Sequence, residues 1–210
     1  MEHRKIYHSH TIHHLNQTIV VEGPLSSAQF RSYIMHSELD AFRRPKDQLV
    51  ALLEIADLPE GRIIIARDGE IIVGYVTFHY PDEMERWSEG NLFDLIELGA
   101  IEVANAYRSM GIGKRLLALA FSNQQFDNTI VYTTEYYWHW DLQSSGLNVW
   151  QYRQMMQSLM ESVGMTLFAT DDPEICSHPA NCLMVIIGDK VPLTSIERFD
   201  RLRFQRRIMY

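Results

Sequence analysis

The sequence predicts an α/β protein: a central mixed, mostly antiparallel sheet with helices on both faces and a further helix at the C-terminus. Three observations predict it. Segments 62–67 and 71–80 are β-branched, apolar runs joined through Asp68-Gly69, the signature of a tight antiparallel hairpin. An apolar run at 95–103 leads into a helix-period stretch, 111–126, with Ile112, Leu116, Leu117, Leu119 and Ala120 on one face, and then into another apolar run at 129–134. Such a crossover joins parallel strands. The chain has 210 residues, 46% hydrophobic and 22% charged, which is enough to bury a core without disulfide or metal staples.

The other elements follow in order. Residues 18–22 alternate weakly and read as a strand ended by Gly23-Pro24. Ser26 or Ser27 is placed to cap a helix running to about 37. Pro45 suits the first turn of a helix over 46–56, with Leu49, Leu52, Leu53 and Ala56 on one face. Residues 81–91 are polar and irregular. The strand at 129–134 is followed by Tyr136, Tyr137 and Trp138, into which it can extend. A helix over 149–163 is closed by Gly164. Strands at 166–170 and 183–187 flank a Pro-containing loop, and a helix over 195–207 ends the chain. This divides the sequence into a polar N-terminal segment (1–17), a main domain (18–190) and a helical tail (191–210).

Composition excludes several classes. Apolar content is too high and too evenly spread for a disordered chain. The most apolar stretch, 62–80, is interrupted by Arg67, Asp68, Gly69 and Glu70, so no spanning helix is expected. The polar N-terminus has no signal-peptide core, and Cys176 and Cys182 make no disulfide framework, so a reducing cytoplasm is the expected compartment. A net charge of -8 argues against nucleic-acid binding. Two cysteines are too few for a zinc site. His3, His8, His10, His13 and His14 crowd the N-terminus and read as loose surface rather than a metal site. The final fourteen residues carry five arginines against two acids; a solvated helix end is the plainer reading, a docking surface for an acidic partner or for a phosphate of a cofactor the sharper one. No signal for an oligomeric state is present.

The segment that carries chemistry is 96–117. A strand feeds a short loop, and the loop opens a helix through Gly111 and Gly113. A helix N-terminus offers unpaired N–H groups and a partial positive charge, an anion site suited to a pyrophosphate. It is not a Walker A loop, because Arg108 stands where the first glycine is required. It is not a dinucleotide fingerprint, because Leu116 stands where the third is required.

Arg108-x-x-Gly111-x-Gly113 after a strand ending in Val103 resembles the pyrophosphate loop of the GNAT superfamily of acetyltransferases, and the 63–75 hairpin resembles that superfamily's second and third strands. The order of elements agrees over about 18–187. Segments 59–69, 86–91, 133–141, 178–184 and 199–204 resemble, more narrowly, the acetoin-utilisation acetyltransferases of Bacillus-type bacteria. The resemblance implies acetyl-CoA as co-substrate, held by Ile101, Val103, Arg108, Ser109, Met110, Gly111, Ile112, Gly113 and Lys114. It also implies a protein substrate, acetyl-CoA synthetase, modified and shut off at a lysine.

Such chemistry needs a base for an amine of pKa ~10.4 and a backbone N–H for the thioester oxygen. Two strand glutamates are candidates. Glu97 stands where many GNAT enzymes carry a catalytic glutamate, and Glu102 is next to Val103. Their odd spacing turns them to opposite faces unless a bulge, as at Gly99, intervenes. Met160 stands where many members carry a tyrosine that protonates the departing thiolate. Tyr136, Tyr137 or Tyr152 are the substitutes, or the thiolate leaves unassisted. Tyr136, Tyr137 and Trp138, with His178 and Asn181 from a later loop, are the candidate acceptor-facing residues. Core or groove lining is the alternative for the aromatics. A small-amine acetyltransferase and a non-catalytic acyl-CoA sensor are the competing functions.

Overall fold

The computed structural model describes residues 3–15 and 17–205. Among these residues two compact units are present, one within 3–79 and 98–125, the other within 80–97 and 126–205.

In the first unit, β1 (His8–His14), β2 (Gln17–Gly23), β4 (Arg62–Asp68) and β5 (Ile71–His79) are successive antiparallel neighbours, and the short β3 (Ile34–Met35) runs parallel to β5. The hairpin expected around Asp68-Gly69 is there, with Asp68 opposite Ile71. α2 (Pro45–Asp57) starts on its proline and buries Gln48, Leu52 and Ala56. Ile63 and Ile65 of β4 join Leu52, Ala56 and Phe30 in a cluster under α2 and the single-turn α1 (Ser27–Phe30). The alternate residues Ile64 and Ala66 are equally buried, and α3 (Ile112–Ala120) crosses β2, β4 and β5. A strand buried on both faces reads as an unbroken apolar run, as 63–66 does.

The second unit holds the first residues of β6 (Leu95–Val103), parallel to β7 (Ile130–Glu135) as the crossover predicts, with Glu97 opposite Tyr132. β7 pairs antiparallel with β9 (Cys182–Ile187), and β9 with β8 (Thr166–Phe168). Trp87, Leu95, Ile130, Tyr132, Leu183 and Val185 form its core with Phe199 and Leu202 of α7 (Leu193–Arg203). α5 (Val149–Glu161) is opened by a capping box between Asn148 and Gln151. The short helices α4 (Leu142–Ser145) and α6 (Pro173–Cys176) have no counterpart in the sequence reading. Among the paired strands whose registers are known, most are antiparallel, which is the predicted class.

Several elements differ from expectation. The N-terminal segment is not loose: β1 forms an edge strand, anchored by buried Ile12, with His8 in contact with Asn123 at 3.0 Å. Among the described residues, no group of three or more His, Cys, Asp or Glu is arranged to hold a metal ion. The helix expected from 26 to 37 stops at Phe30, because Ile34 and His36 donate their N–H groups to Glu70 and Ile72 carbonyls beside β5. α3 stops at Ala120 rather than 126. The Ser122 hydroxyl bonds the Leu119 carbonyl, and Asn123 and Gln124 turn to positive φ. Arg206 and Arg207, with which the sequence reading ends its last helix, lie outside the described residues. Of the tail arginines, Arg203 lies over Phe168 and pairs with Asp200, and Arg198 donates to the Gly90 carbonyl, so both hold the tail to its own unit. Arg201 is exposed. Among the described residues, no helix is long and apolar enough to cross a membrane.

Candidate active site

The loop between β6 and α3 is built to leave backbone donors open. A short 3-10 segment (Asn105–Met110) follows β6, and Gly111 caps α3 with φ 67°. No side chain would crowd Gly111, so glycine is required there for its left-handed backbone alone. No side-chain cap is present, and the first α-helical bond runs from the Arg115 N–H to the Gly111 carbonyl. The N–H groups of residues 112–114 are thus the first-turn donors without an intrahelical acceptor. Buried Ile112 pins the turn to the core, while Arg108, Ser109, Lys114 and Arg115 are exposed and Ile101, Val103, Met110 and Gly113 are half-buried. Arg108 folds back to donate from Nε to the Val103 carbonyl at 3.1 Å. Gly74 of β5 makes room for this arrangement. A Cβ there would stand 3.1 Å from the Glu102 carbonyl and 3.4 Å from Ile112. Bare donors at a helix N-terminus, flanked by three exposed cations, fit a pyrophosphate.

The two candidate glutamates have separate partners. Glu102 is buried, and both of its oxygens are engaged. Oε1 accepts the Ala41 N–H at 2.9 Å and Oε2 accepts the Tyr75 hydroxyl at 2.7 Å. Burial raises its pKa, with these two hydrogen bonds opposing that rise. A carboxylate holding a backbone amide 61 residues away is an anchor for the 36–44 loop. Glu102→Ala would strand two buried donors, at a cost of about 2–3 kcal/mol, or roughly 5–10 °C in Tm at this size. Thermal melts should show that drop, with turnover per folded molecule near wild type.

Glu97 is buried in the other unit. Burial pushes its pKa up to about 7, partly offset by a hydrogen bond from Tyr132 and reinforced by the charge of Asp82. Tyr132 is itself fully buried against Trp87, and its hydroxyl also lies 3.4 Å from Glu85 Oε2, so its one hydrogen serves either carboxyl but not both at once. A carboxyl group titrating near neutrality is suited to accepting a proton in one step and releasing it in the next. The crossover predicts that the two strands are parallel neighbours; the register that sets Tyr132 beside Glu97, and the approach of Glu85 from an irregular segment, left no mark in the sequence.

The aromatic run does not extend β7. The Tyr137 N–H is taken by Asn181 Oδ1 at 3.0 Å, outside the ladder, and residues 137–139 form a 3-10 turn. Tyr136 and Trp138 stack with centroids 4.7 Å apart, and Tyr137 lies 4.2 Å from the ring of His178. Asn181 also donates to the Glu174 carbonyl, so one buried amide ties this turn to the 174–181 segment, and ring contacts join the remaining acceptor-facing candidates to it. Trp138 remains about half exposed. Glu135, beneath the turn, accepts from Trp140 Nε1 at 3.1 Å, and burial pushes its pKa up to about 7. A charged residue on an apolar strand is the signal by which the sequence marks Glu135. Met160 is fully buried in α5, so no proton donor occupies that position.

The family model for acetyltransferases of the GNAT family matches residues 29–143. The acetoin utilization protein AcuA of Bacillus subtilis (strain 168) is 57% identical over 210 residues, covering 100% of both chains. That of Bacillus licheniformis is 56% identical over the same length. A crystal structure of an acetoin utilization protein from Exiguobacterium sibiricum 255-15 matches with a TM-score of 0.95 at 50% identity, covering 99% of this chain and 98% of that one. With the α/β fold, the glycine loop and the full-length likeness in agreement, this chain belongs to the GNAT family of acetyltransferases and is a close relative of the AcuA acetoin utilization proteins.

Proposed function

We propose that this chain is an acetyl-CoA-dependent protein lysine N-acetyltransferase of the cytoplasm and that its acceptor is a lysine of acetyl-CoA synthetase. The observation that carries the reading is Glu97, a buried carboxyl group held near neutrality on the strand that leads into the glycine loop. The N–H groups of residues 112–114, with Arg108 and Lys114, would hold the CoA pyrophosphate. Acetyl-CoA supplies, when bound, an acyl group activated as a thioester. Glu97 takes the ammonium proton of the incoming lysine, whose unperturbed pKa of ~10.4 keeps it unreactive at neutral pH. After attack the nitrogen gives up its second proton as the C–S bond breaks, and the departing thiolate, whose conjugate thiol has an unperturbed pKa of ~8.5, takes up that proton without a dedicated acid; Met160 at the position of a tyrosine supports that reading over one with a donor there. Tyr136, Tyr137, Trp138, His178 and Asn181 form a braced surface, with a half-exposed Trp138 for the acceptor's aliphatic and cationic groups.

Incubation with acetyl-CoA and purified acetyl-CoA synthetase, followed by peptide mass spectrometry, tests it. One dominant acetylated lysine on the synthetase is the expected result. Acetylated polyamines or aminoglycosides with an unmodified synthetase would assign the chain to small amines. No product on either, with acetyl-CoA bound, would make it a sensor.

A further inference from the structure

A buried base has a problem that an exposed one does not: the proton it takes must leave before the next turnover. Glu97 is only 8% exposed, so direct release to water is obstructed. A conduit is visible among the described residues. Tyr132 is the register partner of Glu97 on the adjacent parallel strand, so the two side chains stand side by side on one face, close enough for the phenol to act on the Glu97 carboxyl. The same hydroxyl reaches Glu85 Oε2 at 3.4 Å. Glu85 lies just before a 3-10 turn (Arg86–Gly90) and is half-buried, with access to solvent that Glu97 lacks.

We propose that Glu97, the Tyr132 hydroxyl and Glu85 form a proton relay that returns the acceptor's proton to solvent. This rests on Glu97 being the base. In the first step the lysine ammonium loses H⁺ to the Glu97 carboxylate and becomes the neutral, attacking amine. In the second, the Glu97 O–H bond breaks as its proton passes to Tyr132 Oη, while the Tyr132 O–H bond breaks as its own proton passes to Glu85. Tyr132 ends neutral, Glu97 ends ionised, and Glu85 gives the proton to water. No redox change and no further reactant is involved. Tyr132 is suited to the middle place because burial first, and then the two neighbouring carboxylates, hold its phenol far above the ordinary range. It stays protonated and passes a proton on rather than storing one. The ring is fixed by Trp87, 5.1 Å away between centroids, so the hydroxyl is held between its two partners.

Three variants test the relay, with CoA release measured on acetyl-CoA and acetyl-CoA synthetase and the Glu97 carboxyl followed by isotope-edited infrared titration. Tyr132→Phe keeps the ring packing and removes only the hydroxyl. It should lower turnover about tenfold to a hundredfold with acetyl-CoA affinity unchanged. Glu85→Ala should fall similarly and recover as formate is added, because a small carboxylate can take the proton at the exposed end. A packing defect would not show such rescue. The Glu97 titration should shift in both variants, since both remove a member of its hydrogen-bond chain. If Glu97→Gln slows the reaction but Tyr132→Phe and Glu85→Ala do not, Glu97 stands as the base and the relay is wrong. If Glu97→Gln has no effect, the base assignment fails and the relay fails with it. An infrared titration that does not move in either variant overturns the relay whatever the acceptor.

Discussion

Glu97→Gln is expected to cut turnover by on the order of 10²–10⁴ and to leave acetyl-CoA affinity unchanged. Glutamine keeps the shape and can still accept from Tyr132, but it cannot take a proton at neutral pH. The pH profile is the sharper measurement. The base works only when ionised, and burial holds Glu97 near 7. The rate should therefore fall as pH drops through about 7, and that limb should vanish in the glutamine variant. Because the neutral form is the favoured one in the folded protein, the sign for stability is opposite. The unfolded carboxyl loses its proton near 4.5, so the stability contributed by neutral Glu97 is present below that and is lost as pH rises toward 7. Glu97→Gln should remove that slope, and denaturant melts between pH 5 and pH 8 would show it. A wild-type rate together with an unchanged pH profile would take the base role away from Glu97.

Gly113→Asp should weaken acetyl-CoA binding by more than tenfold, at least about 1.4 kcal/mol. The substitution sets a carboxylate in the first turn of α3, where residues 112–114 present their N–H groups. A negative charge at a helix N-terminus is favourable for the helix itself, so the fold should survive and the thermal midpoint should hold or rise slightly. The loss would then be specific to the anion: the aspartate competes for the same donors and repels the pyrophosphate. Calorimetry with acetyl-CoA measures it. Unchanged affinity in a folded variant would remove the glycine loop from the cofactor site.

The parts of this protein whose causes are local are legible in the chain. The 62–67 and 71–80 hairpin, the 95–103 strand, the parallel crossover into 129–134 and the helix opening at Gly111 are each set by periodicity, turn residues or a glycine, and each stands within a residue or so of where the sequence places it. Family membership was legible for the same reason, since the loop motif and its preceding strand are contiguous in the chain. What only the tertiary structure decided are the contacts between residues far apart in sequence. The sequence could not say that Ala41 and Tyr75 occupy both oxygens of Glu102, which separates it from Glu97 as an anchor from a candidate base. Nor could it say that Asn181 takes the Tyr137 amide and bends the aromatic run out of β7, or that the N-terminal histidines lie on an edge strand held by Ile12. The physical reason is common to all three. A carboxylate, an amide or a marginal strand has several partners open to it in an extended chain, and packing selects one by burying it, where an unpaired polar group costs about 1–3 kcal/mol. The same selection brings Glu97, Tyr132 and Glu85 together, three residues whose chemistry is written in the sequence and whose proximity is not.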